Sequence, residues 1–431
     1  MTHLHPTEQR PCLTARAAFR LCSLRMRWYR LFIGCLGALL LGVPPVSAQA
    51  VADATSSALT LRGFGTLGMA RSDTDQAEFV RDLSQPGGVA RRWSAKVDSL
   101  AGVQDNYQAA EQIEAVAQVV SRYRNDGSFK PQLMWAFMIF DPNTALSLRE
   151  GRLGTEFYMQ ADSRLVGYSY LTVRPPGDYF GALPFSFIDG ADVAMTAPLA
   201  GGVVRGKLFS GLTREKAPLA SRQWDLNGSI MSGGYLDYHQ GRWQTRLGYS
   251  RLRFKHDLPL SDLHAGLIGA GAQVASDQLR VDGKAAHFYS AGLAYDEGPF
   301  QAQLMLSRIR QESAIFENAR TGYLIAGYRV QTLTPFAGYS WVKSSAKTAS
   351  TGNPALDAGI ASTINPVMAD SHSDQHTVIL GSRWDFRRNM AVKAQLDIIR
   401  GTPQSIFPYR AEKAGFDGKL NVLSLNLDFV F

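Results

Sequence analysis

Cysteine is nearly absent from this chain, and where it occurs matters more than how often. Cys12, Cys22 and Cys35 all fall within the first 35 of 431 residues. Beyond them the chain can build neither a disulfide nor a thiolate site. Long hydrophobic runs are missing as well. After residue 50 no apolar stretch reaches ~18 residues, which excludes a bundle of membrane-spanning helices. A one-signed charge excess is also lacking over most of the chain. Six of the 45 basic residues and one of the 37 acidic ones lie in the first 48 positions, which leaves the remainder at net +3. The basic character belongs to the N-terminus and gives no reason to expect nucleic acid as a partner. Gly-x-Ser-x-Gly and His-Glu-x-x-His, the common hydrolase and zinc-protease signatures, do not occur.

The N-terminus reads as a secretory signal. Arg10, Arg16, Arg20, Arg25, Arg27 and Arg30 precede the apolar run Leu31–Val43, and the small residues Ser47, Ala48 and Ala50 follow. The run is about 13 residues, short of the ~20 a transmembrane helix needs. Residues 1–48 are therefore expected to be removed by cleavage after Ala48 or Ala50, leaving an exported domain over 49–431. An uncleaved anchor and a lipid-modified Cys35 are the alternatives. The apolar run continues past Cys35, which argues against the second.

The remaining residues alternate with period two almost throughout. Leu423, Leu425, Leu427, Phe429 and Phe431 alternate with Ser424, Asn426 and Asp428; Val392, Ala394, Leu396 and Ile398 alternate with Lys393, Gln395 and Asp397. In a membrane barrel such an apolar face meets lipid and the polar face a wet lumen. Short connections rich in Gly, Pro, Asn and Asp, such as Asp141–Thr144 and Asp296–Pro299, alternate with long ones, such as Tyr158–Ile188, Asp257–Ala285 and Ser345–Asp374. An up-and-down barrel with short periplasmic turns and long external loops produces this order. The pattern predicts about sixteen strands, among them 59–70, 93–104, 130–140, 145–157, 189–197 and 418–431. The segment 130–140 is apolar on both faces, which suits contact with a partner subunit or an inward-folded loop. Phe140, Tyr238, Trp243, Tyr295, Phe300, Phe336, Phe386 and Phe431 gather beside the short turns, as a headgroup-level girdle would.

Motifs with chemical overtones have bland readings on this frame. Gly63-Phe64-Gly65-Thr66-Leu67-Gly68 has the spacing of a dinucleotide-binding loop, but no helix opens at its end, so strand glycines that permit close packing are the better reading. His372 and His376 have metal-ligand spacing but fall in a long polar loop, and no metal or other cofactor is assigned. His287 and Ser290 share a strand on opposite faces, and no catalytic residue is assigned. Basic residues at lumen-side parity form a more suggestive set: Arg62, Lys96, Arg122, Arg149, Arg205, Lys207, Arg246, Arg329, Arg383 and Lys393.

Together, the strand Leu59–Gly65, the sixteen alternating strands and the terminal Phe431 resemble the general (trimeric, sixteen-stranded) outer-membrane porins of Gram-negative bacteria. The resemblance implies an all-β transmembrane antiparallel up-and-down barrel whose third external loop, Tyr158–Ile188, folds inward. It implies that Phe429 and Phe431 are read by the barrel-assembly machinery. It also implies a homotrimer in contact with outer-membrane lipid and lipopolysaccharide, passing small hydrophilic solutes and ions. The loop departs from the family in lacking a Pro-Glu-Phe-Gly-Gly type motif. Arg174-Pro175-Pro176-Gly177-Asp178 and Gly181-Ala182-Leu183-Pro184 stand there instead. Asp162, Arg164, Arg174, Asp178 and Asp189 are the expected constriction residues. Facing the more numerous wall cations, they imply a weak anion preference. The alternatives are a substrate-specific uptake channel for organic anions or sugars, an outer-membrane enzyme, and a non-conducting adhesin or receptor barrel.

Overall fold

An extended chain that buries alternate residues must pair every backbone N–H and C=O with a neighbouring strand, and in lipid only a closed sheet can do so. A computed structural model of the protein, which describes residues 58–431 apart from 157, 182–185, 220–221, 404 and 406–408, has this closure. The expected signal segment and its cleavage points lie outside the described residues. The barrel strands are β1 (Leu59–Ser72), β2 (Leu100–Ala110), β3 (Ile113–Arg122), β4 (Gln132–Asn143), β5 (Leu146–Gly154), β6 (Phe187–Leu199), β7 (Gly202–Leu212) and β8 (Ile230–Gln240). They continue as β9 (Trp243–Arg253), β10 (Ala285–Glu297), β11 (Phe300–Gln311), β12 (Asn318–Tyr328), β13 (Leu333–Ser345), β14 (Asp374–Arg387), β15 (Met390–Gly401) and β16 (Lys419–Val430). Each pairs antiparallel with its neighbours in sequence, and β1 pairs with β16, so sixteen strands close one ring.

The seam between β1 and β16 explains the glycine motif of the first strand. Gly63 and Gly65 face outward on β1, opposite the C-terminal residues. A Cβ on Gly63 would stand 2.2 Å from the ring of Phe431, and one on Gly65 would stand 2.5 Å from the ring of Phe429. The glycines are beds for the two terminal rings, an arrangement that shields exposed backbone and pins register. Backbone bonds between Gly63 and Phe431, at 2.8 and 2.9 Å, lock the end of the chain onto the first strand.

Short turns lie at one end of the barrel. The β6–β7 turn is two residues, Ala200 at φ 46° and Gly201 at φ 76°, the paired left-handed geometry that matches strand twist. Outward aromatics ring this end as expected: Trp243, Phe300, Phe386 and Phe431 are exposed, and Trp384 and Tyr328 join them. Phe336 does not belong to the girdle. It faces inward and is buried, because the β13 register sets it opposite Gly381 and its ring covers that glycine.

Two further expectations require correction. The second strand begins at Leu100 rather than near residue 93. Ser94 bridges Ala70 within the first external connection, so the alternation around Trp93 belongs to a loop that runs along β1. The connection 345–374 is not a solvated coil. It holds a helix, Pro354–Ala369, capped by Asn353 and burying Ile360, Ile364 and Met368. With the helices Ser261–Gly269 and Gln273–Leu279 it contributes to one hydrophobic cluster that runs down into the barrel through Phe254, Phe288 and Tyr323.

The seam yields a first prediction. Gly63→Val should force the Phe431 ring off its bed and cost roughly 1–3 kcal/mol as overpacking does. Phe431→Ser should instead leave that bed uncovered. Both are expected to lower the folded fraction seen by heat-modifiable gel migration. An unchanged fraction in both variants would contradict this account of the seam.

Candidate functional site

The lumen is shaped by the connection 155–186, between β5 and β6, which folds inward as expected. Tyr158, Tyr170, Arg174, Asp178, Tyr179 and Phe180 are all buried inside the barrel. The segment carries few regular elements, a 3₁₀ turn at Gly167–Ser169 and a helical turn at Gly177–Phe180. Its position therefore depends on side chains of the wall.

At the near wall, Glu156 is the anchor. It accepts from Arg149 and Lys207, both at 2.7 Å, and from the Tyr235 hydroxyl at 3.1 Å. Arg149 also grips Asp192 of β6 through two nitrogens. Burial opposes the charge on Glu156, but Arg149 and Lys207 outweigh it and hold the carboxyl at about 2 rather than 4.5. This tie is therefore present above the ordinary carboxylate range and is lost only as pH falls toward about 2. Further round, Arg246 forks onto Asp237 at 2.6 Å and donates to the Tyr158 carbonyl at 2.8 Å.

Across the lumen, the far wall receives the loop. Arg174 binds Asp98 of the first external loop and Asp397 of β15, each at 2.6 Å, stacks over Phe79, and donates to Ser424 of β16. Lys393 is fully buried. It donates to the carbonyls of Gly167 and Thr172 at 2.7 and 3.0 Å and pairs with Asp428 at 3.0 Å. Arg383 donates to the carbonyls of Tyr168 and Tyr170 and pairs with Asp385. Asp178 accepts from Ser340 at 2.6 Å and from Gln375, while Thr321 donates to its carbonyl. Burial pushes the Asp178 carboxyl up, against those hydrogen bonds. Between the walls, Tyr158, Tyr179, Phe180, Phe288 and Tyr323 form an aromatic cluster, with Phe180 edge-on to Tyr158 at 4.9 Å. Phe288 of β10 and Tyr323 of β12 face inward to meet this cluster, with Ser290 and Thr321 beside them.

The residues singled out by parity thus divide. Arg122, Arg149, Lys207, Arg246, Arg383 and Lys393 face inward, but every one is tied to a carboxylate. Arg122 reaches Asp82 at 3.4 Å and Ser186 at 3.3 Å, joining the first and third external loops. Arg62 and Arg205 stand exposed near the periplasmic ends of β1 and β7. Arg329 follows β12 beside a short turn and lines a cavity of about 680 Å³. Lys96 is not on the wall at all. The late start of β2 leaves it in the first external loop, 5.5 Å over the Tyr123 ring.

Of the loop set, Asp162 is exposed and Arg164 contacts Ser186. Asp189 lies outside the lumen. It is opposite Arg152 in the β5–β6 register, one parity step from the inward pair Arg149 and Asp192, and it binds Arg152 at 2.7 Å and Arg214 at 3.2 Å on the outer face.

The cavity beside Arg329 is the part sequence reasoning missed. It opens at the short-turn end between the third loop, at Tyr168, Ser169 and Leu171, and the wall residues Arg329, Arg387 and Arg388. Asp296 and Asp385 share it. Arg387 and Arg388 stand at the short connection between β14 and β15, and nothing in the sequence brings them beside Arg329. The histidines of metal-like spacing separate: His372 pairs with Glu317 at 3.0 Å, and His376 faces outward on β14 beside Tyr339. An Asp257–His264–Ser276 array in the external helices leaves Ser276 fully buried, where it hydrogen-bonds His264 as a lock between helices.

No protein-family model and no curated sequence matches the chain. Solved structures do. OmpF of Salmonella typhi, in complex with daunomycin, is 13% identical over 86% of this chain and 97% of its own, with a TM-score of 0.54. The outer membrane channel DcaP of Acinetobacter baumannii is 12% identical over 86% and 97%, with a TM-score of 0.52. An anion-selective porin from Comamonas acidovorans is 14% identical over 86% and 99%, with a TM-score of 0.51. The chain has the fold of the sixteen-stranded Gram-negative porins.

The docking of the loop gives a second prediction. Arg174→Leu would leave Asp397 buried without its cation and Asp98 with only Arg81 at 3.9 Å, and breaking a buried pair typically costs about 3–5 kcal/mol. The far half of the loop should detach, so trypsin should cut the folded barrel near Arg164 and any channel current should rise. A variant with wild-type protease resistance would show that Arg174 does not hold the loop.

Proposed function

We propose that the protein is an outer-membrane porin, a narrow passive channel for small hydrophilic solutes and ions, with no enzymatic role. One observation carries the reading. A closed barrel with a lipid-type exterior holds, inside it, a non-strand segment pinned by charged side chains rather than by sheet pairing. A loop held in this way narrows a lumen without sealing the barrel wall, and beside it a cavity lined by Arg329, Arg387 and Arg388 opens at the short-turn end. The extensive contacts of the loop lead us to expect a small single-channel conductance.

Weak anion preference remains our reading, but its source moves. Arg122 and Arg149 are buried partners of carboxylates, and reversing them should unseat the loop rather than retune selectivity. Among the described residues, Arg329, Arg387 and Arg388 line the periplasmic vestibule without an ion pair, and Arg62 and Arg205 stand exposed toward the same end. Low-dielectric walls focus such charges on the path. The same vestibule favours a second reading, a substrate-specific channel for organic anions, which would show saturable flux and a current blocked by its solute. The third prediction is therefore electrical. In planar bilayers across a salt gradient, Arg329→Glu with Arg388→Glu should move the zero-current potential toward cations at unchanged folded yield. A potential that stays put would remove the vestibule from the selectivity argument.

Assembly with further copies of the chain, as a homotrimer, is also proposed. Asp105 and Glu150 face outward from mid-strand on β2 and β5, among Ala115, Ala117, Ala136 and Ala191. They border a groove of about 350 Å³. Charge on a lipid-facing strand is destabilising at mid-depth, whereas small residues let another wall approach closely. A second copy is the occupant this face suits. Our fourth prediction is that Asp105→Leu with Glu150→Leu leaves a heat-modifiable monomer but reduces the oligomer band on unheated gels. An undiminished oligomer would place the subunit contact elsewhere.

A further inference from the structure

Three consecutive short turns and the underside of the inward loop enclose the cavity of about 680 Å³ at the periplasmic end. Asp296 and Gln301 flank the β10–β11 turn, Arg329 to Thr332 form the β12–β13 turn, and Asp385 to Arg388 lead into the β14–β15 turn. The roof over them is held in place. Leu171 lies against Gly327, where a Cβ would stand 2.5 Å from the leucine side chain. Arg383 donates to the carbonyls of Tyr168 and Tyr170 at 2.8 and 2.9 Å. The Tyr168 hydroxyl donates to the Arg388 carbonyl at 2.7 Å, which ties the turn to the loop. A cavity with fixed walls can take a small molecule without first ordering them.

The charge of this lining is not balanced. Arg329, Arg383, Arg387 and Arg388 stand against Asp296 and Asp385, an excess of two positive charges. Asp385 is already taken by Arg383 at 2.7 Å. Arg329, Arg387 and Arg388 are exposed and form no ion pair among the described residues, unlike Arg174 and Lys393 deeper in the lumen. Neutral polar side chains fill much of the remaining lining: Gln301, Gln331, Thr332 and Thr334. Gln331 has φ 55°, within a two-residue turn closed by backbone bonds between Val330 and Leu333 at 2.7 and 3.0 Å. Glycine takes that backbone most easily. A glutamine there carries a conformational cost, which a use for its amide would offset.

We propose that this vestibule is a binding site for a phosphorylated sugar, a polyhydroxylated dianion held at the periplasmic exit of the channel. Its phosphate sits between Arg329 and the Arg387–Arg388 turn, and its hydroxyls meet Gln301, Gln331 and Thr332. A phosphate ester carries close to the two negative charges that the lining lacks. Guanidinium groups match its oxygens in forked, charge-assisted geometry. The volume suits a small organic molecule rather than an inorganic ion. A site at the exit holds its solute only weakly, since a channel must release what it binds. The inference rests on the reading of the barrel as a channel specific for organic anions, and it names the anion and the place that holds it.

The test reads binding apart from conduction. The full barrel in detergent is titrated in a calorimeter with glucose 6-phosphate, with glucose and with inorganic phosphate. Glucose 6-phosphate should bind, inorganic phosphate should bind about 10-fold more weakly, and glucose should not bind. Arg387→Gln with Arg388→Gln should weaken glucose 6-phosphate on the order of 100-fold. Gln301→Leu with Thr332→Val should bring its affinity down to that of inorganic phosphate. No binding of glucose 6-phosphate, equal binding of glucose or of inorganic phosphate, or undiminished binding by the arginine variant would each overturn the proposal. The three ligands are compared on the wild-type protein, so that result needs no variant to fold. In planar bilayers, glucose 6-phosphate on the periplasmic side should lower the current at a smaller concentration than on the extracellular side. Equal block from both sides would overturn the placement at the exit. A barrel that conducts but binds none of the three keeps the porin and loses the site, whereas binding without any current supports the site and removes the channel.

Discussion

The fold depends on one constraint: within hydrocarbon there is no water to satisfy a backbone amide, so the sheet must close on itself. Everything at the β1–β16 seam serves that closure. Gly63 and Gly65 lack side chains so that the rings of Phe431 and Phe429 can lie over them, and the last residue exchanges two backbone bonds with Gly63. Closure in turn enforces strict parity around the ring. Once β16 is set with Leu423, Leu425 and Leu427 toward lipid, Ser424, Asn426 and Asp428 have no choice but to face inward. The inward placement of Lys393 and Asp397 on the adjoining strand β15 follows from that alignment.

Parity is also why the architecture was legible in the sequence. Sixteen strands, their order and the inward third connection all follow from alternation and turn chemistry together with the porin resemblance. Failures occurred where alternation continued into a loop or where a glycine invited a ring inward. Trp93 to Lys96 alternate as a strand would, yet Ser94 makes only an isolated bridge to Ala70 of β1. Phe336 sits beside a short turn like a girdle residue, yet Gly381 leaves room for its ring on the lumen side. Asp189 was misplaced by a single parity step, since its register partner is Arg152 and not Arg149. The helix Pro354–Ala369 was hidden because its apolar positions are spaced among small polar residues that read as loop.

The wall cations were found but their role was not legible from parity, because parity reports a face and not a partner. Leaving Arg174 or Lys393 unpaired in the interior would be far costlier than an exposed charge, so burial there requires a carboxylate or a carbonyl. The partners come from distant segments: Asp98 from the first loop, Asp397 and Asp428 from the last two strands, and Gly167 and Thr172 from the loop itself. Buried pairs of this kind add little net stability compared with apolar packing, but they tolerate few alternative arrangements. They suit a segment with little secondary structure that must take one path across a lumen.

The outside of the barrel obeys the same electrostatics with a different solvent. Asp105 and Glu150 stand at mid-strand on β2 and β5 among alanines, whereas Arg251, Arg308, Arg310 and Arg320 stand nearer the extracellular ends of β9, β11 and β12. A carboxylate at mid-depth is costly against hydrocarbon, and a cation at the headgroup level is much less so. The two sets of outward charge therefore differ in what they ask of their surroundings, and the subunit contact proposed for β2 and β5 answers the costlier one.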